Sequence, residues 1–357
     1  MAERVLLAMS GGVDSTAAAI MLLDGGYEVI GVTFGVAGGR VLPACAAGSD
    51  ASVREARISA ETLGIPHFTA DLTDAFVAEV LEPFRRGYLD GLTPNPCVAC
   101  NRLVKFGALR HWASENGIGC DGFATGHYAG TGTARDGKPV LIRALDRKKD
   151  QSYFLAMVER PMLARTLFPL SGMTKDRAVA LVRASGLSRT AARAESQDFT
   201  GAGGLPALLG PEASRPGDLV DGAGNLLGRH DGYALLTPGQ RHGLDLGGRR
   251  EPLYVIRTDP ATGTVTVGTR DEATSTSLEA GPMNWLAWET PPSAFGASGK
   301  TRSTGAEVPV EVRCLDPGGS VVEAVFGSPV FAAAPGQYLV LYSGDMVLGA
   351  GVIRRSR

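Results

Sequence analysis

The chain has 357 residues, a length typical of two or three domains, and its hydrophobic content of 44% is sufficient for a packed core. A formal net charge of −2 gives no general attraction to nucleic acid, so any RNA-binding surface has to be local. No apolar stretch is long enough to span a membrane, and five cysteines argue against a disulfide framework, so we expect a cytoplasmic protein with reduced thiols and no membrane partner.

Strand-like and helix-like segments alternate over the first part of the chain. The predicted strands are 4–9, 27–34, 66–72 and 121–128, and the predicted helices are 16–26, 51–65, 73–91 with Thr73 as N-cap, and 102–117. This alternation favours a doubly wound parallel α/β sheet. In such sheets ligands bind beyond the carboxyl ends of the strands, so the segments after the first, second and fourth strands should face one cleft.

The pattern changes after about residue 205. Short alternating runs, divided by Gly, Pro and Asp turns, indicate small β structure and then a compact β-barrel. We therefore predict an α/β domain at 1–205, a small β-rich domain at 206–275 and a C-terminal β-barrel at 276–357.

The segment SGGVDS, Ser10 to Ser15, joins the first strand to a helix N-terminus. Free N–H groups and the helix dipole favour an anion there, and Gly11 and Gly12 let the backbone approach a phosphate. Asp14 cannot usefully face a phosphate unless a cation intervenes, so it is a candidate to help hold Mg²⁺. The segment lacks the Walker A pattern and matches the pyrophosphate loop of enzymes that split ATP into AMP and pyrophosphate.

A second chemical motif is the pair Cys97 and Cys100 in TPNPCVACN. A C-x-x-C can bind zinc or an iron–sulfur cluster, act as a redox dithiol or carry sulfur for transfer. Structural zinc usually needs four ligands, and no second C-x-x-C is present.

Several motifs in a fixed order extend over nearly the whole chain: GLTPNPCVACNRLVKFG, FATGHYA, LDRKKDQSYFL, LFPLSGMTKDRAVALVRASGL, AESQDFTG and TPGQRHGLDLGG. Together they closely resemble the tRNA 2-thiouridylase family (MnmA/TrmU). The resemblance implies a pyrophosphate-loop fold (adenine nucleotide alpha hydrolase-like). It also implies ATP-dependent adenylation of the C2 oxygen of a wobble uridine in tRNA, after which a protein-borne sulfur displaces AMP.

The resemblance also implies site residues. For ATP they are Met9, Ser10, Gly11, Gly12, Val13, Asp14, Ser15, Phe34 and Gly126. For tRNA they are Asn95, Pro96, Lys149, Asp150, Gln151 and Arg302, and the catalytic thiol is Cys100. The implied cofactors and partners are ATP with Mg²⁺, tRNA, and a sulfur donor, which is a persulfide carrier protein, a cysteine desulfurase or sulfide.

The chain departs from the family pattern at three positions. Cys97 stands where an Asp is usual, and Thr200 occupies roughly the position of the second catalytic cysteine. Ser303 replaces the aromatic residue that usually follows Arg302, which weakens the expectation of base stacking there.

These departures leave three hypotheses for the cysteine pair. In a relay, Cys100 carries a persulfide and Cys97 resolves it as the second catalytic thiol. Alternatively, Cys97 and Cys100 ligate a [4Fe–4S] cluster with Cys45, which follows the second strand on the cleft side. The third hypothesis is zinc binding or inert thiols. Cys120, before the fourth strand, should lie at the opposite end of the sheet as a buried thiol, and Cys314 should lie in the barrel core.

Two other functional classes stay open at the level of sequence. One is a pyrophosphate-loop sulfurtransferase or ligase acting on a substrate other than tRNA. The other is a non-catalytic protein that binds tRNA or carries sulfur, which the missing cysteine suggests. The retained pyrophosphate loop argues against the second class.

Overall fold

The structure is a computed structural model that describes residues 2–36, 48–193, 199, 204–247 and 251–357. Its strands there are β1 Arg4–Ala8, β2 Glu28–Gly35, β3 His67–Asp71, β4 Gly122–Thr125, β5 Ala129–Thr133, β6 Pro139–Arg143, β7 Thr166–Leu167, β8 Gly217–Val220, β9 Leu226–His230, β10 Tyr254–Asp259, β11 Thr264–Gly268, β12 Thr274–Trp285, β13 Ala294–Lys300, β14 Val308–Cys314, β15 Val322–Phe331, β16 Tyr338–Ser343 and β17 Met346–Ser356. Its α-helices there are α1 Val13–Asp24, α2 Asp50–Leu63, α3 Thr73–Phe76, α4 Glu82–Leu89, α5 Pro96–Ala99, α6 Leu109–Glu115, α7 Ser152–Leu155, α8 Arg160–Leu163, α9 Lys175–Ala184, α10 Ser188–Ala191 and α11 Gly204–Leu209. Within these ranges no helix is both long and apolar enough to cross a membrane.

The first part of the chain forms the predicted parallel sheet, with strand order β3-β2-β1-β4-β7. The central strand β1 separates two apolar layers. Leu6 packs in a large core that also contains Phe106 and Phe123, whereas Val5 and Leu7 point to the other face, against α1 and α2. Burial on both faces explains why β1 is a continuous apolar run.

Two helical runs contain π-helical segments, at Val77–Leu81 between α3 and α4 and at Cys100–Ala108 between α5 and α6. The first run begins at Thr73, and the expected N-cap role of Thr73 was wrong. Its capping group is the carboxylate of Asp71, whose Oδ1 accepts hydrogen bonds from the Thr73 N–H at 3.0 Å and hydroxyl at 2.6 Å.

The second run begins at Pro96, six residues before the predicted helix at 102–117. The cysteine pair therefore lies inside the first turns of a helix and not in a loop before it.

Two β structures follow. A small sheet has the order β10-β11-β8-β9. In the last part of the chain the order β12-β15-β14-β13-β16-β17 closes through pairing of β17 with β12, which gives a six-stranded barrel. The hairpin of β5 and β6 was not predicted, and it joins the barrel sheet where Ile142 pairs with Met346.

Candidate active site

The pyrophosphate loop, Ser10 to Ser15, connects β1 to α1 and is held by its own hydroxyl groups. The Ser15 hydroxyl accepts from the Ser10 N–H at 3.2 Å and donates to the Gly12 carbonyl at 3.1 Å. Gly12 is the N-cap of α1 and has no side chain to occupy the first N–H groups of the helix. The loop therefore presents a helix N-terminus able to bind an anion.

Two glycines are required by close packing around this loop. Gly11 has φ +69°, and a Cβ there would lie 2.6 Å from the backbone of Ser52 and Ala56 in α2. A Cβ on Gly126 would lie 2.6 Å from backbone atoms of Asp14 and Ser15. Gly126 follows β4, so the strand ends after β1 and β4 meet as expected.

Asp14 is the charged residue of the loop and has two partners. Its Oδ1 accepts from the Lys175 ammonium at 2.7 Å and from the Tyr128 hydroxyl at 3.0 Å. Both members of the ion pair are largely withdrawn from solvent, with side-chain exposures of 16% for Lys175 and 33% for Asp14. A cation at the N-terminus of α9 opposes the helix dipole, and Asp14 offsets that unfavourable placement.

Lys175 was not predicted as a site residue. In the sequence it appears only within the family motif LFPLSGMTKDRAVALVRASGL. The structure makes it the first residue of α9, where a lysine is unfavourable and therefore calls for an anionic partner.

The segment KKDQSYF, residues 148–154, is hydrogen-bonded to Tyr128, whose hydroxyl donates to Asp14. Gln151 exchanges two hydrogen bonds with Tyr128: its backbone N–H donates to the Tyr128 carbonyl at 2.8 Å and its Oε1 accepts from the Tyr128 N–H at 2.9 Å. The Asp150 carboxylate accepts from the N–H groups of Ala144 and Ser152 and from the Ser152 hydroxyl. Lys149, which is half-buried, lies in the turn before them.

The cysteine pair begins a helix whose first turn is well capped. The side-chain carbonyl of Asn95 accepts from the Val98 N–H at 3.3 Å, and Pro96 occupies the first helical position. This Asn-Pro order is a recognised helix-start signal. The spacing of three residues places Cys97 and Cys100 on neighbouring positions of one helix face.

The two thiols differ in accessibility. Cys100 is buried, with 6% of its surface exposed, whereas Cys97 is exposed. The sulfur of Cys97 is nevertheless crowded by surrounding protein, and this burial raises the pKa of the Cys97 thiol, while the positive charge of Lys105 acts in the opposite direction. The exposed residue can therefore be reached from solvent although its thiolate form is not favoured.

Lys105 lies on the cysteine helix and acts electrostatically on His127, in the loop after β4. Its ammonium donates to Asn101 Oδ1 at 2.9 Å, and Asn101 in turn donates to the Phe154 carbonyl at 3.1 Å. His127 lies within the electrostatic range of the same ammonium. Burial, and secondarily Lys105, hold the pKa of His127 well below its usual value, so its imidazole is neutral at pH 7. The cysteine helix and the pyrophosphate loop are linked by hydrogen bonds, because Tyr128 bonds both Asp14 and Gln151 while Asn101 bonds Phe154, three residues after Gln151.

The barrel also holds the start of the cysteine helix. The Thr93 N–H donates to the Pro335 carbonyl at 2.8 Å, and Gln337 Nε2 donates to the Thr93 carbonyl at 2.9 Å. The Asn95 side-chain amide lies 3.5 Å from Gln337 Oε1. Gln337 was not predicted, because a contact across more than 240 residues leaves no local pattern.

Other predicted positions lie within the core. Phe34, 6% exposed, stacks with Phe76 at a centroid distance of 6.4 Å. Val13 is buried at the start of α1, and Met9 is buried with its N–H donated to the Val32 carbonyl at 2.8 Å. Their roles in binding ATP stay predictions.

Of the remaining positions, Cys45 and Thr200 lie outside the described residues. Cys120 precedes β4 beside Arg4, at the sheet edge opposite the pyrophosphate loop as expected, but it is exposed, so its expected burial was wrong. Cys314 ends β14 half-buried and donates to the Pro292 carbonyl at 3.3 Å. Within the described part of the chain, no group of three or more His, Cys, Asp or Glu side chains is arranged to hold a metal ion.

Arg302 lies after β13, in a loop that Lys300 fixes by donating to the Ser303 carbonyl at 2.8 Å. Its guanidinium lies over Phe331 in a cation–π contact, with 5.5 Å from Cζ to the ring centroid. An aromatic ring therefore accompanies Arg302, although it comes from another strand and not from position 303.

Three domain families match consecutive parts of the chain: the tRNA methyl transferase HUP domain at residues 3–200, the tRNA methyl transferase PRC-barrel domain at 209–269 and the aminomethyltransferase beta-barrel domain at 275–353. Among curated relatives, the tRNA-specific 2-thiouridylase MnmA of Trichormus variabilis is 40% identical over 99% of both chains. The enzymes of the same name from Paramagnetospirillum magneticum and Methylobacterium radiotolerans are 40% and 42% identical to this chain. Each match includes 99% of this chain, and the matches include 96% and 94% of the length of those two enzymes, respectively. This chain belongs to the tRNA-specific 2-thiouridylase (MnmA) family.

Proposed function

We propose that this protein catalyses ATP-dependent synthesis of 2-thiouridine at the wobble position of tRNA. The observation that carries the proposal is the junction of two chemical elements. The pyrophosphate loop, a site for a leaving pyrophosphate, and the cysteine helix, a source of nucleophilic sulfur, are joined through the segment 151–154. Tyr128 donates to Asp14 of the loop and is hydrogen-bonded to Gln151, and the Phe154 carbonyl accepts from Asn101 of the cysteine helix. Their combination matches the activity in the names of the full-length relatives.

The first step is adenylation of the uridine. The C2 oxygen attacks the α-phosphorus of ATP, the bond to the β-phosphate oxygen breaks, and pyrophosphate leaves toward the N–H groups at the start of α1. Lys175 lies at the same end of the sheet, where its ammonium is paired with Asp14 at 2.7 Å. This step replaces a poor leaving oxygen with AMP.

Mg²⁺ would be held at this end of the sheet by Asp14 together with ATP phosphates, and it would neutralise phosphate charge there. The single carboxylate fits that use, because Mg²⁺ usually takes one or two carboxylates and completes its shell with phosphate and water. In the structure Asp14 shares its Oδ1 between Lys175 and Tyr128.

The second step transfers sulfur. In the relay, the terminal sulfur of a Cys100 persulfide attacks C2 and AMP leaves, which links Cys100 to the base through two sulfur atoms. The Cys97 thiolate then attacks the Cys100 sulfur, so that the outer sulfur remains on C2 as 2-thiouridine and a Cys97–Cys100 disulfide forms. A dithiol reductant must open that disulfide, and the exposure of Cys97 makes it accessible to one.

The iron–sulfur alternative uses the same pair of thiols. A [4Fe–4S] cluster needs more ligands than the two that the described residues supply, and the candidate third ligand, Cys45, lies outside them. We therefore derive no step through a cluster. Iron content and visible absorbance of anaerobically purified protein distinguish the two: the relay predicts iron-free protein that thiolates tRNA from a persulfide donor.

On the tRNA side, we propose that the segment 149–151 and Asn95–Pro96 border the target base. Asp150 and Gln151 use their polar atoms within the protein and so shape the site, while Lys149 carries the charge complementary to RNA.

The experiment that tests the proposal is tRNA-stimulated release of pyrophosphate from ATP, measured with transcripts that carry uridine or cytidine at the wobble position. We expect stimulation by the uridine transcript alone. Equal release with both transcripts, or release that needs no tRNA, would contradict a tRNA-uridine substrate and favour another pyrophosphate-loop activity.

A further inference from the structure

One aromatic ring on the barrel makes cation–π contacts with guanidinium groups from two separate segments. Phe331 ends β15. The Cζ of Arg270, in the turn between β11 and β12, lies 4.4 Å from its centroid, and the Cζ of Arg302 lies 5.5 Å from it. The two guanidinium carbons are therefore no more than 9.9 Å apart, the sum of those distances.

Neither guanidinium is neutralised by a carboxylate among the described residues. Two other arginines of the same sheet are neutralised: Arg355 on β17 pairs with Glu279, and Arg143 at the end of β6 pairs with Glu307. Asp271 and Glu272 follow Arg270 directly in the chain, but among the described residues neither forms an ion pair with Arg270 or Arg302. The Oε2 of Glu272 instead accepts from the N–H and hydroxyl of Thr269 at 2.7 and 3.0 Å. Two neighbouring guanidinium groups that no described carboxylate pairs with favour an anionic ligand.

The ring contacts both cations without acting as a hydrogen-bond acceptor of the ordinary kind. A cation–π contact is an attraction to the ring face, so the guanidinium N–H donors remain available for contact with phosphate. Phe331 makes an edge-to-face contact with Tyr254 at a centroid distance of 5.3 Å. Gly239 lies beside it, where an added Cβ would come within 2.5 Å of Ala332 Cβ and 3.3 Å of the ring.

The position of the ring is close to the cysteine helix. Pro335 lies four positions after Phe331, a distance of at most about 14 Å along the chain. The Pro335 carbonyl accepts from the Thr93 N–H, two residues before the cap Asn95. A strand of RNA bound at Phe331 would therefore pass near the start of the cysteine helix.

We propose that Arg270, Phe331 and Arg302 form a phosphate clamp that binds the tRNA backbone beside the target uridine. The clamp rests on the proposed function for its ligand. The resemblance to the family pointed to Arg302 alone, whereas Arg270 and the ring that orients both cations are contributed by the structure. Because the clamp reads charge and not base edges, its contribution is the same for every tRNA sequence.

The test is binding of an unmodified tRNA transcript to the full-length protein over a range of KCl concentrations. R270Q should weaken binding about 5- to 10-fold and reduce the slope of log affinity against log salt by about one, as expected for one lost phosphate contact. R270Q/R302Q should reduce the slope by about two. F331L keeps both charges but releases them from the ring, so it should weaken binding and leave most of the slope.

The matched control is R313Q, which removes an exposed arginine on β14 that lies opposite Glu323 in the barrel. It changes the net charge equally and should leave affinity and slope unchanged. An effect of R270Q no larger than that of R313Q would overturn the clamp. A wild-type protein that binds tRNA with the expected variant effects but forms no 2-thiouridine would instead contradict the proposed function and leave the clamp intact.

Discussion

The two halves of the active site are built in different ways. The pyrophosphate loop is a local structure: adjacent residues hold it, and Gly11 and Gly126 fit against it with no room for a Cβ. The cysteine helix is held from a distance, by Phe154 through Asn101 and by the barrel through Thr93. The ATP half should therefore tolerate changes in the barrel, whereas the sulfur half should respond to them.

The largest expected effect is that of a substitution at Cys100, which should stop the reaction of the sulfur half and leave that of the ATP half intact. C100S should abolish formation of 2-thiouridine but retain tRNA-stimulated pyrophosphate release, because the thiol acts only after adenylation. The two products are measured in parallel from one reaction. Loss of pyrophosphate release in a folded C100S protein would show that the halves are not independent.

C97D sharpens the same comparison, because it restores the residue usual in the family. Under the relay this variant should form 2-thiouridine only when an external thiol is added to resolve the Cys100 adduct. Full turnover of C97D without added thiol would rule out Cys97 as the resolving group.

A substitution at Gly126 should impair the ATP half. G126A places a Cβ 2.6 Å from the backbone of Asp14 and Ser15, and we expect the displaced loop to lower the rate of adenylation about 100-fold. Gly172, which has open space where a Cβ would stand, is the control. Equal pyrophosphate release rates for G126A and G172A would contradict the assigned packing.

A smaller effect is expected at Lys175. K175M leaves the half-buried Asp14 carboxylate without its cation, and the KM for ATP should rise about tenfold, equivalent to roughly 1.4 kcal/mol. K175R should recover most of the loss because the charge returns. If K175M alters the KM for tRNA and not that for ATP, Lys175 belongs to a different site.

The dependence of the sulfur half on the barrel is tested by Q337A. Loss of the hydrogen bond to the Thr93 carbonyl should cost about 1 kcal/mol and slow sulfur transfer about fivefold, without changing tRNA-stimulated pyrophosphate release. A parallel decrease of both activities would indicate a general loss of stability, which thermal unfolding would reveal.

The smallest effect concerns pH. Burial raises the pKa of Cys97 and Lys105 lowers it, so K105Q should shift alkylation of Cys97 to still higher pH. The rate of iodoacetamide labelling at Cys97, read by peptide mass spectrometry in a C100S background, should fall at pH 8 in K105Q and recover in K105R. An unchanged pH profile would show that Lys105 does not act on this thiol.

Local signals in the sequence predicted the geometry of the pyrophosphate loop well, while the binding of ATP there stays a prediction. SGGVDS requires a strand, a tight turn and a helix in order, and the meeting of Gly126 with this loop follows from the common edge of parallel strands. The start of the cysteine helix was also encoded locally, in Asn95–Pro96, but the helix was predicted to begin only at residue 102.

The contacts that could not be predicted join residues far apart in the sequence. Lys175 lies 161 residues from Asp14, and Gln337 lies 244 residues from Thr93. Such pairs arise only once the sheet and barrel are packed together, and a single sequence carries no periodicity for them. The same holds for Phe331, which meets Arg270 and Arg302 only in the folded barrel.

The most direct test of the central claim is a single-turnover reaction with unmodified tRNA, ATP and a ³⁴S-labelled persulfide donor under anaerobic conditions. Mass spectrometry of the digested nucleosides should detect labelled 2-thiouridine with wild-type protein and ATP, and none with C100S or without ATP. Absence of 2-thiouridine with persulfide and with sulfide, or its formation without ATP, would contradict the account.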